Sequence, residues 1–160
     1  MYNTILCMLA LTELFYAPNG KPLSQSYVDR IGSGYEERLE VCHEVAHKAE
    51  AMGIKPTWAI ALAYEESRFD RDKISGAGAV GPLQVLPSYS NCQPNKPCDW
   101  ISQGLIALKY WMDRYPKKWV CHYNSGNSCN KNSIRFARRV SSRRHRLYTQ
   151  LRSITFNFEP

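Results

Sequence analysis

The chain reads as a mainly α protein built as one compact domain, and three observations carry that expectation. Apolar residues recur at spacings of three and four in successive runs, the pattern of helices with one buried face. No long stretch alternates with the period of two that a sheet needs. The 160 residues, 44% hydrophobic and 22% charged, suit a single core and argue against disorder.

The first run, Ile5 to Ala17, is mostly apolar and too short to span a bilayer. It has the length of a signal-peptide core. However, residues 1–4 lack a basic side chain, Glu13 sits inside the run, and Ala17-Pro18 is a poor cleavage context. A retained helix packed on the body fits better than a signal peptide. Residues 18–34 are rich in Pro, Gly and Ser and read as a linker. Tyr35 to Met52 is a helix, with Leu39, Cys42, Val45, Ala46 and Ala49 on one face and Gly53 after it. Pro56 suits the first turn of a second helix running to about Phe69. Residues 70–99 read as loop, with five Pro or Gly between Gly76 and Pro87. Ile101 to Arg114 is a third helix, stopped by Pro116, and Asn124 to Asn132 is a polar loop. Ser133 to Leu151 is a basic helix whose apolar stripe is Phe136, Val140, Leu147 and Leu151. Arg144 interrupts that stripe and is expected to snorkel. The organisation is thus 1–34 apolar segment and linker, 35–152 main domain, and 153–160 tail.

Charge is unevenly placed. The net charge is +7, and no acidic residue lies between Asp113 and Glu159, where 11 of the 21 basic residues fall. An anionic partner surface contacted through Arg135 to Arg152 is the natural expectation, against the plainer reading of a solvated helix face. The helix lacks the aromatic interleaving used to stack on bases, so nucleic acid ranks low. Six cysteines include two pairs close in sequence, Cys92/Cys98 and Cys121/Cys129, each bracketing a loop-like stretch. Disulfides and an extracytoplasmic setting are favoured. His43 and His122 lie beside Cys42 and Cys121, but no C-x2-C pairing supports a zinc site.

The chemistry concentrates at residues 65–87. The helix from Pro56 has no charged residue from Trp58 to Ala63 and then ends in Glu65-Glu66. Seven residues make nearly two turns, so Glu66 stacks above Ala59 on the stripe of Ala59, Leu62 and Ala63, while Glu65 stacks above Trp58. A desolvated carboxyl there has a raised pKa and can protonate a leaving oxygen, a step worth roughly 10²–10⁴-fold. Two carboxylates at a helix C-terminus oppose the dipole and ask for a reason. The Gly-rich segment that follows, with Gln84 inside it, makes a floor able to bind sugar. Glycosidic bond cleavage is the reaction this combination points to.

Four blocks carry a family resemblance. Glu66-Ser67-Arg68-Phe69 resembles the E-S-x-F signature of the soluble lytic transglycosylases, which share a lysozyme-like fold with goose-type lysozymes. Gly76 to Pro87 resembles their G-A-x-G-L-M-Q-x-M-P segment. Tyr123-Asn124-Ser125-Gly126 resembles A-Y-N-x-G, and Phe136-Ala-Arg-Arg-Val140 resembles Y-V-x-x-V. The blocks occur in family order over roughly residues 40–150. There are departures: Pro82-Leu83 stands for Leu-Met, Phe136 for a Tyr, and His122 for an Ala. If that Tyr supports the acid, the support must come from elsewhere, and Tyr123 is one source. His122 would add a titratable group near the site.

The resemblance implies a lysozyme-like helical domain with a loop-rich cleft that degrades peptidoglycan. It implies Glu66 as general acid and then base, and Ser67 as the group orienting Glu66 or the sugar. Gly81 would allow close backbone approach, Gln84 would donate hydrogen bonds to the glycan, and Tyr123 and Asn124 would line the opposite wall. A hydrolase needs a second carboxylate. Glu65 points about 100° away, which leaves Asp70 and Asp72. A single-carboxylate route fits better and implies 1,6-anhydro products, with no metal or organic cofactor. The rivals are a goose-type lysozyme or endolysin hydrolysing the same bond, and a catalytically dead glycan-binding module. Peptidoglycan strands are the expected partner, with virion or secretion-machine proteins beside them. The expected place is a phage virion or the periplasm and cell envelope.

Overall fold

The computed structural model describes residues 2–15, 23–92 and 96–156. Among these, seven α-helices form and no strand does: α1 (Tyr2–Thr12), α2 (Gln25–Ser33), α3 (Tyr35–Ala51), α4 (Pro56–Ser67), α5 (Trp100–Arg114), α6 (Trp119–Ser125) and α7 (Lys131–Phe156). The mainly α expectation holds. Helix ends follow local chemistry. Pro56 opens α4 where its missing N–H costs nothing. The Asp99 carboxylate accepts from Ser102 N at 3.0 Å to cap α5. Asn130 Oδ1 accepts from the N–H groups of Asn132 and Ser133 at 3.0 Å to start α7.

The body is assembled around α4. Thr57, the whole run Ala59 to Tyr64, and Ser67 are buried. α3 and α7 pack along it, and α1 touches α3, α4 and α7. Ala59, Ala61 and Ala63 keep the flanks of α4 narrow, so neighbouring helices approach closely. The N-terminal run forms a helix that packs on the body, as expected. Leu6, Ala10 and Leu11 are fully buried, and Cys7 bonds to Cys42 of α3. Cys92–Cys98 and Cys121–Cys129 close the two short brackets, so no free cysteine remains among the described residues.

The structure differs from the sequence expectation at three elements. The linker expected over 18–34 contains α2, because the Ser24 side chain caps it and Ile31 buries itself; residues 18–22 lie outside the described residues. The polar loop expected from Asn124 instead begins after α6, a helix of seven residues that carries Tyr123 and Asn124. The basic helix runs from Lys131 to Phe156, longer than 133–151 at both ends, so part of the expected tail is helical and 157–160 lie outside the described residues. Arg144 does lie along apolar surface, with its guanidinium 4.4 Å from the Trp58 ring centre.

Candidate active site

The two adjacent glutamates at the end of α4 meet opposite environments. Glu65 turns to α7. Arg143 Nε donates to it at 2.7 Å and Arg139 Nε at 3.1 Å, and only 4% of its side chain is exposed. Burial alone would raise its pKa, but the hydrogen bonds and charge of Arg143, with Arg68 and Arg139, hold it below the usual carboxylate range. Glu66, one residue on, accepts no hydrogen bond from the described residues. Burial pushes its carboxyl up to about 8, with the Glu65 charge adding to the rise and Arg139 opposing it. The adjacency that looked unfavourable for a helix C-terminus is therefore resolved by α7, which neutralises one carboxyl and leaves the other unpaired.

The backbone after Glu66 is bent into the turn that shapes the site. The three non-glycine residues with positive φ among those described are Arg68, Phe69 and Gln84, all in this segment. Such conformations cost energy and tend to gather at functional sites. Phe69 is fully buried and anchors the turn from below, edge-on to Tyr64 at 6.0 Å.

Ser67 is buried, and its hydroxyl bridges α4 to the Gly-rich segment. It donates to Pro82 O at 2.9 Å and accepts from Asp70 N at 3.2 Å. It thus fixes the loop against the helix end that carries Glu66. Gly81 has φ +79°, and a Cβ there would sit 2.7 Å from Trp100 Cβ. The position demands glycine for both reasons. The close approach expected of Gly81 is thus made to Trp100.

Gln84, the expected glycan donor, has its side-chain amide turned onto its own loop. Its Nε2 already donates to Gly81 O at 2.8 Å and Lys73 O at 3.0 Å. The side chain braces its own loop, and its remaining oxygen is an acceptor. Tyr123 donates its hydroxyl to Leu83 O at 2.6 Å. Burial, then the nearby Glu66 charge, keeps that phenol protonated. Tyr123 and Glu66 therefore lie in one electrostatic neighbourhood, but the phenol proton goes to the loop, not to the carboxyl. Asn124 is exposed and joins none of these residues by a hydrogen bond among those described. His122 is turned away into α5. It stacks on Tyr115 at 3.7 Å, with Trp111 at 5.8 Å, and its Nδ1 pairs with Gly126 O at 2.8 Å.

Three supporting residues escaped the sequence reading: Trp100, Lys73 and Gly104. A Cβ on Gly104, inside α5, would meet Leu83 Cβ at 2.4 Å, so α5 backs the loop directly there. A glycine within a helical pattern was the available signal, since it costs roughly 1 kcal/mol against alanine and asks for a packing reason.

Of the other carboxylates expected to compete, Asp70 is engaged elsewhere and Asp72 faces a different groove. Asp70 lies 3.9 Å from Arg38 and accepts from Asp72 N. Asp72 lines a separate groove of about 550 Å³ with Glu44, Arg71, Asp99 and Trp100, and Glu66 is not part of it. What the arrangement offers chemically is one protonated carboxyl near neutral pH, beside a rigid loop of backbone carbonyls and amides. No solved structure matches the chain. Residues 44–145 match the transglycosylase SLT domain, most of the chain's length and all four motif blocks, and the chain belongs to that family of lytic transglycosylase-type peptidoglycan-degrading proteins.

Proposed function

We propose that the protein cleaves the β-1,4 bond between N-acetylmuramic acid and N-acetylglucosamine, with Glu66 as its single general acid and base. The observation that carries this reading is the contrast at the end of α4. Glu65 is neutralised by arginines, while Glu66 is half-buried, accepts no hydrogen bond from the described residues, and has a carboxyl that desolvation pushes up to about 8. A neutral Glu66 donates its proton to the glycosidic oxygen, and the bond from that oxygen to the muramyl C1 breaks. The substrate's own N-acetyl group steadies the cationic C1. The Glu66 carboxylate then takes the proton of the muramyl 6-hydroxyl as that oxygen bonds to C1. Glu66 returns to its starting state, and the product ends in a 1,6-anhydro ring with no water added.

Support for a single carboxylate comes from the alternatives. A hydrolase requires a second carboxylate to activate water or attack C1. Glu65, ion-paired and lowered in pKa, is a poor base, Asp70 faces Arg38, and Asp72 lines a groove that Glu66 does not. In this reading Ser67, Gly81, Gln84 and Tyr123 act as positioning residues for the loop. Asn124, exposed on α6, is the one available for direct contact with sugar. The three disulfides support an extracytoplasmic place of action.

The test is digestion of purified peptidoglycan by the wild type and Glu66→Gln, with mass spectrometry of the soluble fragments. The wild type should release anhydromuropeptides, and the variant roughly 100-fold less or lower still. Reducing-end muropeptides would establish a hydrolase instead. Equal release by the variant would remove Glu66 from the mechanism.

A further inference from the structure

The cations of α7 are not equivalent. Arg139 and Arg143 are held by Glu65, and Arg143 and Arg146 by Glu13. Arg144 stacks on Trp58. The charge of the middle of the helix is therefore engaged within the fold. Its first turns differ. Lys131, Arg135 and Arg138, together with Lys117 and Lys118 ahead of α6, are exposed and carry no ion pair among the described residues. Lys131, Arg135 and Arg138 are spaced by four and three, which puts them on one face of α7.

A groove of about 610 Å³ lies between Lys117–Lys118 and α7, and of the three α7 cations Arg138 lines it. Lys117 and Lys118 line one side, and Ile134, Arg138, Ser141 and Ser142 line the other. The Cys121–Cys129 disulfide, also part of the lining, ties α6 to the chain just ahead of α7 and holds the two sides in register. Neither Glu66 nor Tyr123 lines the groove. Ammonium, guanidinium and hydroxyl donors converging on one channel form a phosphate-type donor set. Ile134, 41% exposed, offers apolar surface between them. That mixture suits a chain whose phosphates are separated by short carbon or sugar spacers. No carboxylate between Asp113 and Glu159 opposes such a chain.

We infer that this groove is a second binding site, separate from the Glu66 site, for a phosphodiester-linked anionic polymer of the cell envelope. It would hold the enzyme on the envelope while α4 and the Gly-rich loop act on glycan. The anionic contact expected along Arg135 to Arg152 is thereby confined to the first turns of α7 and joined by Lys117, Lys118 and Lys131.

The test uses the full chain and a fluorescent poly(glycerol phosphate) oligomer, read by anisotropy across a salt series. Two triple variants are compared: Lys117→Gln/Lys118→Gln/Arg138→Gln in the groove, and Arg30→Gln/Lys55→Gln/Lys96→Gln elsewhere. Circular dichroism establishes that both fold. The groove variant should bind roughly tenfold more weakly or worse and show a shallower salt dependence, with the control variant close to wild type. Equal losses in both variants would mean that net charge alone drives binding, and would overturn the proposal. So would equally tight binding of hyaluronate, a carboxylate polymer, or binding to phosphatidylglycerol vesicles with none to the oligomer. Absence of oligomer binding by the wild type would overturn it outright. The readout involves no turnover, so it stands apart from the assignment of Glu66.

Discussion

At the scale of the residue, Glu66 is destabilising by the same burial that fits it for acid catalysis. Unfolded, its carboxyl titrates near about 4.3. Folded, it titrates at about 8. Between those values the unfolded chain releases a proton that the folded chain keeps. Stability therefore falls as pH rises through this window, by up to about 1.4 kcal/mol per pH unit, and levels off above the folded value. Glu66→Gln removes the effect. Thermal unfolding of the pair should show the variant gaining on the wild type from pH 5 to pH 8, and a constant difference would mean that Glu66 is charged in the fold. Gly81 makes a second residue-scale case. Gly81→Ala must accept φ +79° and a 2.7 Å contact with Trp100 Cβ. It should lose most of its activity on peptidoglycan while α-helical circular dichroism is kept, because the strain falls on the loop and not on α4. Wild-type turnover by a folded Gly81→Ala would show that the loop tolerates displacement.

At the scale of the element, the placement of α4 against α7 rests on a buried ion network. Glu65 accepts from Arg143 and Arg139, and Arg143 also pairs with Glu13 and stacks on Tyr64 at 3.3 Å. Only 9% of the Arg143 side chain is exposed. Replacing the whole network by apolar groups could be neutral, but deleting Glu65 leaves the buried Arg143 guanidinium with Glu13 as its remaining carboxylate. Glu65→Ala should cost about 3–5 kcal/mol in denaturant unfolding, whereas an exposed pair such as Lys109–Asp113 is worth under about 1 kcal/mol. A loss under about 1 kcal/mol for Glu65→Ala would show that Arg143 is satisfied by Glu13 alone. Two neighbouring glutamates thus meet different surroundings, one paired with arginines and one unpaired, and their helical positions about 100° apart are the cause.

At the scale of the whole molecule, the matched family domain spans residues 44–145, yet the core extends beyond it. Leu6, Leu11 and Leu14 are buried on the body, and Glu13 reaches Arg143 of α7. The Cys7–Cys42 disulfide closes a 35-residue separation and makes α1 part of the same cooperative unit. Cys7→Ser/Cys42→Ser should lower unfolding free energy by about 2–4 kcal/mol. Because α1 also touches α4, activity should fall at temperatures where the wild type is still folded. A double variant unchanged in both would show that helix packing alone holds α1.

Much of this was legible in the sequence. Helical periodicity, Pro56 and Gly53 located α3 and α4, and the charge-free run before Glu65-Glu66 marked the buried carboxyl, because these signals are local and need no partner. Four ordered motif blocks gave the family for the same reason. The sequence could not say which glutamate α7 would neutralise, that Gln84 would brace its own loop, that Tyr123 would bond Leu83, or that half of the basic helix would be engaged internally. Each of those depends on atoms brought together from segments far apart in the chain. Hydrogen-bond satisfaction and desolvation are properties of that assembled environment. Residue types and their spacing determined which chemistry was available; packing decided which side chain kept its proton.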